Sequence, residues 1–253
     1  MPAITVTRLR RGLLVPVLAT VAAFAVLLAL GTWQLERRTW KTSLIATLSE
    51  RLASPPEPLL AQAGWSALVQ GEAEFRRVTF TATLLNDREA LVYTNGSAFR
   101  PDVAGPGYWV MTPARLAGGG LVIVDRGFVP DARKDPATRT AGAVAGPVAI
   151  TGALRWPDPR GWFTPGDDPA RNLWFVRDPG AMAAAKGIGP VAPFYVEQEQ
   201  PVPPGGLPQP GRLAVALPNN HLQYAITWYG LAAVLVGAFA AFAYSQRDGT
   251  REA

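Results

Sequence analysis

The sequence has no cysteine, which excludes disulfides, thiolate metal sites, redox motifs and cysteine nucleophiles. Histidine is almost missing too: His221 is the only one in 253 residues. Methionine occurs only at Met1, Met111 and Met182, too few and too scattered for a methionine-based copper carrier. Charged residues make up 17% of the chain, against roughly 25% in soluble domains, so part of the chain is expected in lipid. The net charge of +5 is dispersed, with no run of five or more basic residues, so no nucleic-acid partner is expected. No nucleophile elbow or phosphate loop is present, and the central region has neither histidine nor cysteine, so no enzymatic activity is expected.

What is abundant is apolar sequence, at 49%. The first long run, Leu13–Gly31, holds 19 residues without a charge, close to the ~20 that a spanning helix needs. A signal peptide would have an apolar core of only ~7–15 residues and a small-residue cleavage site; "GTWQLERR" is a poor one. Pro16 is expected in the first helical turn, where proline is tolerated. The second run carries no charge from Leu213 to Gln246. Its helix is expected to start near Asn220, after Pro218, leaving Leu222–Tyr244 to cross. Arg8, Arg10 and Arg11 precede the first run, and Arg247 and Arg251 follow the second. Short basic flanks stay cytoplasmic, so both termini are expected there, with the central domain on the other side of a multi-pass membrane protein. A flank of 12 residues is short for an organelle transit peptide, so the expected location is a bacterial inner (plasma) membrane, with a periplasmic domain.

Past Gly31 the helix is expected to continue outward, with Leu44, Ile45, Leu48 and Leu52 on one face, until Ser54-Pro55-Pro56 ends it. Strand-like runs follow at 76–85, 89–95, 107–113, 121–127, 148–155, 172–177 and 193–198, separated by glycine and proline clusters. "DPGAMAAAKG" (178–187) reads as a helix capped by Asp178. "PVPPGGLPQPG" (201–211) reads as a linker. The expected fold class is a membrane protein with two transmembrane α-helices flanking a mostly β (α+β) extracytoplasmic domain, an antiparallel sheet or small open barrel. The expected order is a cytoplasmic flank (1–12), span (13–32), helical extension (33–55), β-rich domain (56–200), linker (201–219), second span (220–244) and cytoplasmic tail (245–253).

The informative side chains gather where both runs end. They are Trp33, Gln34, Arg37, Arg38 and Lys41 after the first, and Asn219, Asn220, His221, Gln223, Tyr224 and Trp228 at the start of the second. His221, Tyr224, Ala225 and Trp228 share a helix face. Aromatic belts and arginines meeting lipid phosphates account for part of this set, with membrane lipid as the partner. His221 has two readings. It caps or hydrogen-bonds at the helix start, or its neutral imidazole holds haem iron axially, with the basic residues near propionates and the aromatics against the macrocycle.

Four blocks, "LGTWQLERRTWKTSLIATLSERL" (30–52), "GYWVMTP" (107–113), "VDRGFVP" (124–130) and "NNHLQYAITWYGLA" (219–232), resemble the signature blocks of the surfeit locus protein family, which assists assembly of cytochrome c oxidase. The resemblance implies a non-enzymatic assembly factor that binds haem a and passes it to the catalytic subunit of cytochrome c oxidase, with haem a synthase a further partner. It implies that His221 is the iron ligand and that Gly31, Thr32, Trp33 and Gln34 lie close to the haem. Arg37 and Arg38 are expected near the propionates. Asp125 stands where asparagine is expected, and a pairing with Arg126 or a neighbour is anticipated. The alternative is a cofactor-free scaffold or chaperone holding the nascent oxidase subunit, with Arg126 or Phe128 taking part.

Overall fold

The computed structural model describes residues 3–215 and 217–248, with side chains from 14 onward and up to 246. Arg8, Arg10, Arg11 and Arg247 therefore have described backbone only, and Arg251 of the expected tail lies outside the described residues. The chain divides into two compact units. One takes the chain up to Ala46 together with the chain from Pro218; the other is Thr47–Leu217.

The first unit is built from two long helices. α1 runs without a break over Ala3–Ala53, and the last helix covers His221–Asp248. Both are long and apolar enough to cross a membrane. Only 6% and 11% of their most apolar 18-residue windows are buried, unlike the core helix of a soluble protein. Pro16 lies inside α1 rather than in its first turn, because helical structure already begins at Ala3. It removes one rung of the hydrogen-bond ladder, which spanning helices tolerate.

The second unit is mostly β. After the end of α1 come β1 (Glu57–Pro58), a one-turn α2 (Gln70–Ala73), β2 (Arg77–Leu84), β3 (Ala90–Thr94), β4 (Gly107–Leu116) and β5 (Leu121–Pro130). They are followed by β6 (Pro147–Arg155), β7 (Leu173–Trp174), α3 (Pro179–Ala185) and β8 (Tyr195–Gln200), which completes the unit's strands; the last helix is α4. α3 is the short helix expected from sequence. Asp178 caps it by accepting from Ala181 N at 3.0 Å, and Gly187 follows it at φ +61°.

The strands β2, β6, β8, β5 and β4 pair in that order, and β2 pairs back onto β4 through Ala82–Leu116, Thr83–Arg115 and Leu84–Ala114. The barrel is therefore closed rather than open. It is also not purely antiparallel: β5 and β8 run parallel, with Val124 opposite Val196. A ring with an odd number of strands cannot alternate direction all the way round, so five strands force one parallel neighbour pair. β3 pairs with the first half of β4, and β7 lies parallel to β3.

Alternation along the strands sets the core. One cluster draws on every ring strand, with Val78 and Leu84, Ala114, Val122 and Val124, Ile150 and Leu154, and Val196. A second packs Trp109, Ile123, Phe128, Trp174, Met182 and Tyr195 under β7 and α3. Leu48 and Leu52, from the end of α1, are buried as well, as their helical stripe predicts.

The segment 201–211 is not a free linker. Phe128 N donates to Gln209 O at 3.0 Å, Gln209 N to Phe128 O at 2.8 Å, and Gly211 N to Gln198 O at 3.1 Å. The reason lies in β5. Its pairing with β8 stops at Asp125, so the backbone groups of Phe128 are free to take a new partner. Gly127 permits the approach: at φ +108°, a Cβ there would stand 2.0 Å from Gln209 O.

Candidate functional site

α4 starts where its sequence says it should. Asn220 O accepts from Tyr224 N at 3.3 Å, the first intrahelical bond, so His221 is the first helical residue. Three contacts tie the start of α4 to α1. Asn219 Nδ2 donates to Thr42 Oγ1 at 3.2 Å. Tyr229 Oη and Thr32 Oγ1 are 3.1 Å apart, and Thr32 Oγ1 itself donates to Leu28 O at 3.0 Å, so the tyrosine is the donor between the two hydroxyls. His221 Nδ1 lies 2.7 Å from Gln34 Oε1.

The last contact decides the chemistry of the imidazole. A carboxamide oxygen only accepts, so Nδ1 carries the hydrogen and donates it. In the neutral ring, Nε2 then keeps the free lone pair. Among the described residues Nε2 has no hydrogen-bond partner. A histidine held this way, with one N–H given to a carbonyl, has its tautomer and ring plane set for metal ligation through the other nitrogen. Among the described residues, no group of three His, Asp or Glu side chains stands together as a metal cluster.

Helix packing accounts for how the ring is held there. Gly31 and Ala225 are buried, and a Cβ on Gly31 would meet the Tyr229 ring at 2.7 Å. Small residues here let the two backbones approach. The other expected site residues divide between two faces of α1. Arg38 and Lys41 follow Gln34 at four and seven residues, on its face. Among the described residues neither forms an ion pair. Trp33, Arg37 and Trp40 form the neighbouring stripe, where the Arg37 guanidinium stacks 4.4 Å above the Trp40 ring. Trp33 (50%) and Tyr224 (55%) are exposed, while Trp228 is half-buried. His221 and Gln34 are thus in direct contact, and Arg37 is engaged by a tryptophan. The partners Thr42 and Tyr229 are absent from the sequence-based set. Spacing could have found Tyr229, which lies on the stripe of Ala225 and Ala232.

The "VDRGFVP" block is part of the β unit's interior. Asp125 is fully buried, and its partner is Arg177 at 3.5 Å, not the adjacent Arg126. Arg177 also reaches Glu197 at 3.4 Å and Asp158 at 2.8 Å. Gly127 N donates to Asp125 Oδ1 at 3.0 Å. Loss of water, with Glu197 alongside, pushes the Asp125 carboxyl up to about 7. Arg126, on the other side of the strand, donates to Asn86 Oδ1 at 3.0 Å and to Gly142 O, and burial lowers it to about 10. Phe128 is buried edge-on against Trp109. These side chains hold the fold together.

In chain order this is a closed five-stranded barrel between two helices long and apolar enough to cross a membrane, with a lone histidine fixed by a carboxamide on the partner helix. The chain belongs to the SURF1 family, whose profile matches residues 21–233. It is 36% identical over 214 residues to a SURF1-like protein of Monosiga brevicollis, covering 81% of this chain and 78% of that protein. Surfeit locus protein 1 of Rattus norvegicus is 36% identical over 214 residues, covering 81% of this chain and 68% of the relative. Surfeit locus protein 1 of Homo sapiens is 36% identical over 215 residues, covering 81% and 69%.

Proposed function

We propose that this protein is an assembly factor for a haem-copper oxidase, and that it carries haem a to the catalytic subunit of cytochrome c oxidase rather than catalysing a reaction. Family membership supports the assembly role. The haem reading is carried by one observation, the 2.7 Å contact that commits His221 Nδ1 to Gln34 and leaves Nε2 as the free base. Haem a is cargo here and supplies an iron centre for the imidazole. Arg38 and Lys41, without an ion pair among the described residues and on the face of Gln34, offer cations to the propionates. Exposed Trp33 and Tyr224 offer flat apolar surface. One axial nitrogen and no second histidine suit a cargo that must leave again.

In this reading α1 and α4 cross a bacterial inner membrane, both termini are cytoplasmic, and the β unit is periplasmic. The basic flanks at Arg8–Arg11 and Arg247–Arg251 support that orientation. Haem a synthase is the proposed donor. The test is the absorption spectrum of detergent-purified full-length protein made beside a haem a synthase. Wild type is expected to carry haem a and His221→Ala to lose it. Equal haem content in both would leave the cofactor-free scaffold as the working reading.

A further inference from the structure

The most exposed large side chains of the β unit stand together at one loop tip. Trp162 is 101% exposed and Phe163 100%, so no other described residue covers either of them. Two adjacent aromatics in that state are unusual, since such side chains are the main apolar contributors to cores and interfaces. The loop presenting them is stiff. Gly161 N donates to Thr164 Oγ1 at 3.0 Å, and Thr164 N donates back to Gly161 O at 3.2 Å, which closes a turn with the two aromatics in its middle. Arg160 is ion-paired with Asp167 and donates to Pro165 O, and Phe175 N donates to Asp167 Oδ1 at 2.8 Å. Pro157, Pro159 and Pro165 restrict the flanks.

The charges around the tip decide what it suits. Asp158 is paired with Arg177, Arg160 with Asp167, and Arg171 with Asp168. Every charged side chain from 157 to 172 therefore has a partner within the β unit. The tip carries no net positive charge for anionic headgroups, because its two arginines are each paired with an aspartate and are outnumbered by its three aspartates, and among the described residues it has no unpaired charge for directional pairing with a protein groove. It offers an indole and a phenyl ring, pre-ordered and dehydratable. That chemistry matches the boundary between headgroups and acyl chains of a bilayer, where tryptophan is enriched.

We propose that Trp162 and Phe163 form a membrane-docking wedge that inserts into a lipid surface by apolar burial alone, independently of lipid charge. The proposal rests on the reading of α1 and α4 as membrane-spanning, which keeps the β unit tethered at a bilayer.

The absence of cysteine makes the test clean, because each single-cysteine variant carries one spin label. Full-length Phe163→Cys, Val21→Cys and Arg171→Cys are reconstituted in phosphatidylcholine vesicles, and label accessibility to oxygen and to a water-soluble chelate is compared. Val21 on α1 reports on the span, and Arg171, exposed on the same loop region, reports on water. The oxygen-to-chelate ratio at 163 is expected to exceed that at 171 by roughly tenfold, as interfacial burial implies. It is also expected to stay unchanged with added phosphatidylglycerol or between about 0.1 M and about 1 M salt. A ratio at 163 equal to that at 171, with Val21 in lipid, overturns the wedge and leaves the spans standing. Water-like values at Val21 overturn the spanning reading itself. Shielding of 163 that needs either anionic lipid or co-reconstituted oxidase subunit also overturns the proposal. Because Trp162 is fully exposed among the described residues, Trp162→Ser in the Phe163→Cys chain is expected to melt like its parent, so loss of shielding at 163 in it reports docking and not unfolding.

Discussion

At the residue scale, the bond from His221 Nδ1 to Gln34 Oε1 holds an imidazole that would otherwise turn freely at a helix start. Gln34→Leu keeps most of the volume and removes the acceptor. Under the proposed haem-carrying role, it is expected to lower the haem content of protein made beside a haem a synthase by about 10- to 100-fold, the usual cost of losing the group that orients a ligating histidine. Haem content at the wild-type level in Gln34→Leu would show that the bond serves only helix packing. Gly31 makes a second, independent prediction. Any side chain there enters the Tyr229 ring. Gly31→Val is expected to cost about 1–3 kcal/mol of stability by overpacking, read by thermal unfolding in detergent. Tyr229→Ala in the same chain should restore part of that loss; no restoration would place the strain elsewhere.

At the scale of elements, β5 carries the weight of the β unit. Its residues serve more than one core cluster, with Val122 and Val124 in one, Ile123 between them facing another, and Phe128, beyond Gly127, joining Ile123's cluster. Its end also receives Gln209 from the segment that leads back toward α4. Arg126 and Phe128 are therefore poor candidates for a docking surface, despite their place in a signature block. Phe128→Ala is expected to destabilise the protein by about 3–5 kcal/mol, as for a buried aromatic, with the loss visible in chemical denaturation. Any failure of such a variant to co-purify with an oxidase subunit should be matched by a lower denaturation midpoint. A variant that denatures like wild type yet loses the subunit would return Phe128 to the interface.

At the scale of the whole molecule, pH acts through the buried charges that join β5, β8 and the loops above them. Asp125 faces Arg177 and Glu197, with Arg100 near enough to act through its charge. Burial and Glu197 raise its carboxyl from 3.8 to about 7. The folded chain thus keeps a proton that the unfolded chain releases between pH 4 and 7. Unfolding in that window liberates a proton, so this group's contribution to stability is present at low pH and is lost as pH rises toward 7. The slope is at most about 1.4 kcal/mol per pH unit for one proton. Asp125→Asn keeps the acceptor for Gly127 N and removes the titration, so its unfolding free energy should vary less between pH 5 and pH 7.5 than that of wild type. Parallel pH profiles for the two proteins would remove Asp125 as the cause.

What the sequence determined by itself was everything that repeats locally. Charge-free length marked α1 and α4, alternation between turn signals marked β2 to β6 and β8, and Asp178-Pro179 with Gly187 marked α3. The family was legible in four blocks, and the rarity of histidine singled out His221. The tertiary structure alone decided what these parts meet. It closed the ring through β2 and β4, gave Asp125 to Arg177 across 52 positions, seated Gln209 on Phe128, and set Gln34 against His221 across 187. A period of two or 3.6 residues is written in neighbouring positions and can be read along the chain. A pairing between distant side chains leaves no such periodic trace, because it depends on where whole elements come to rest.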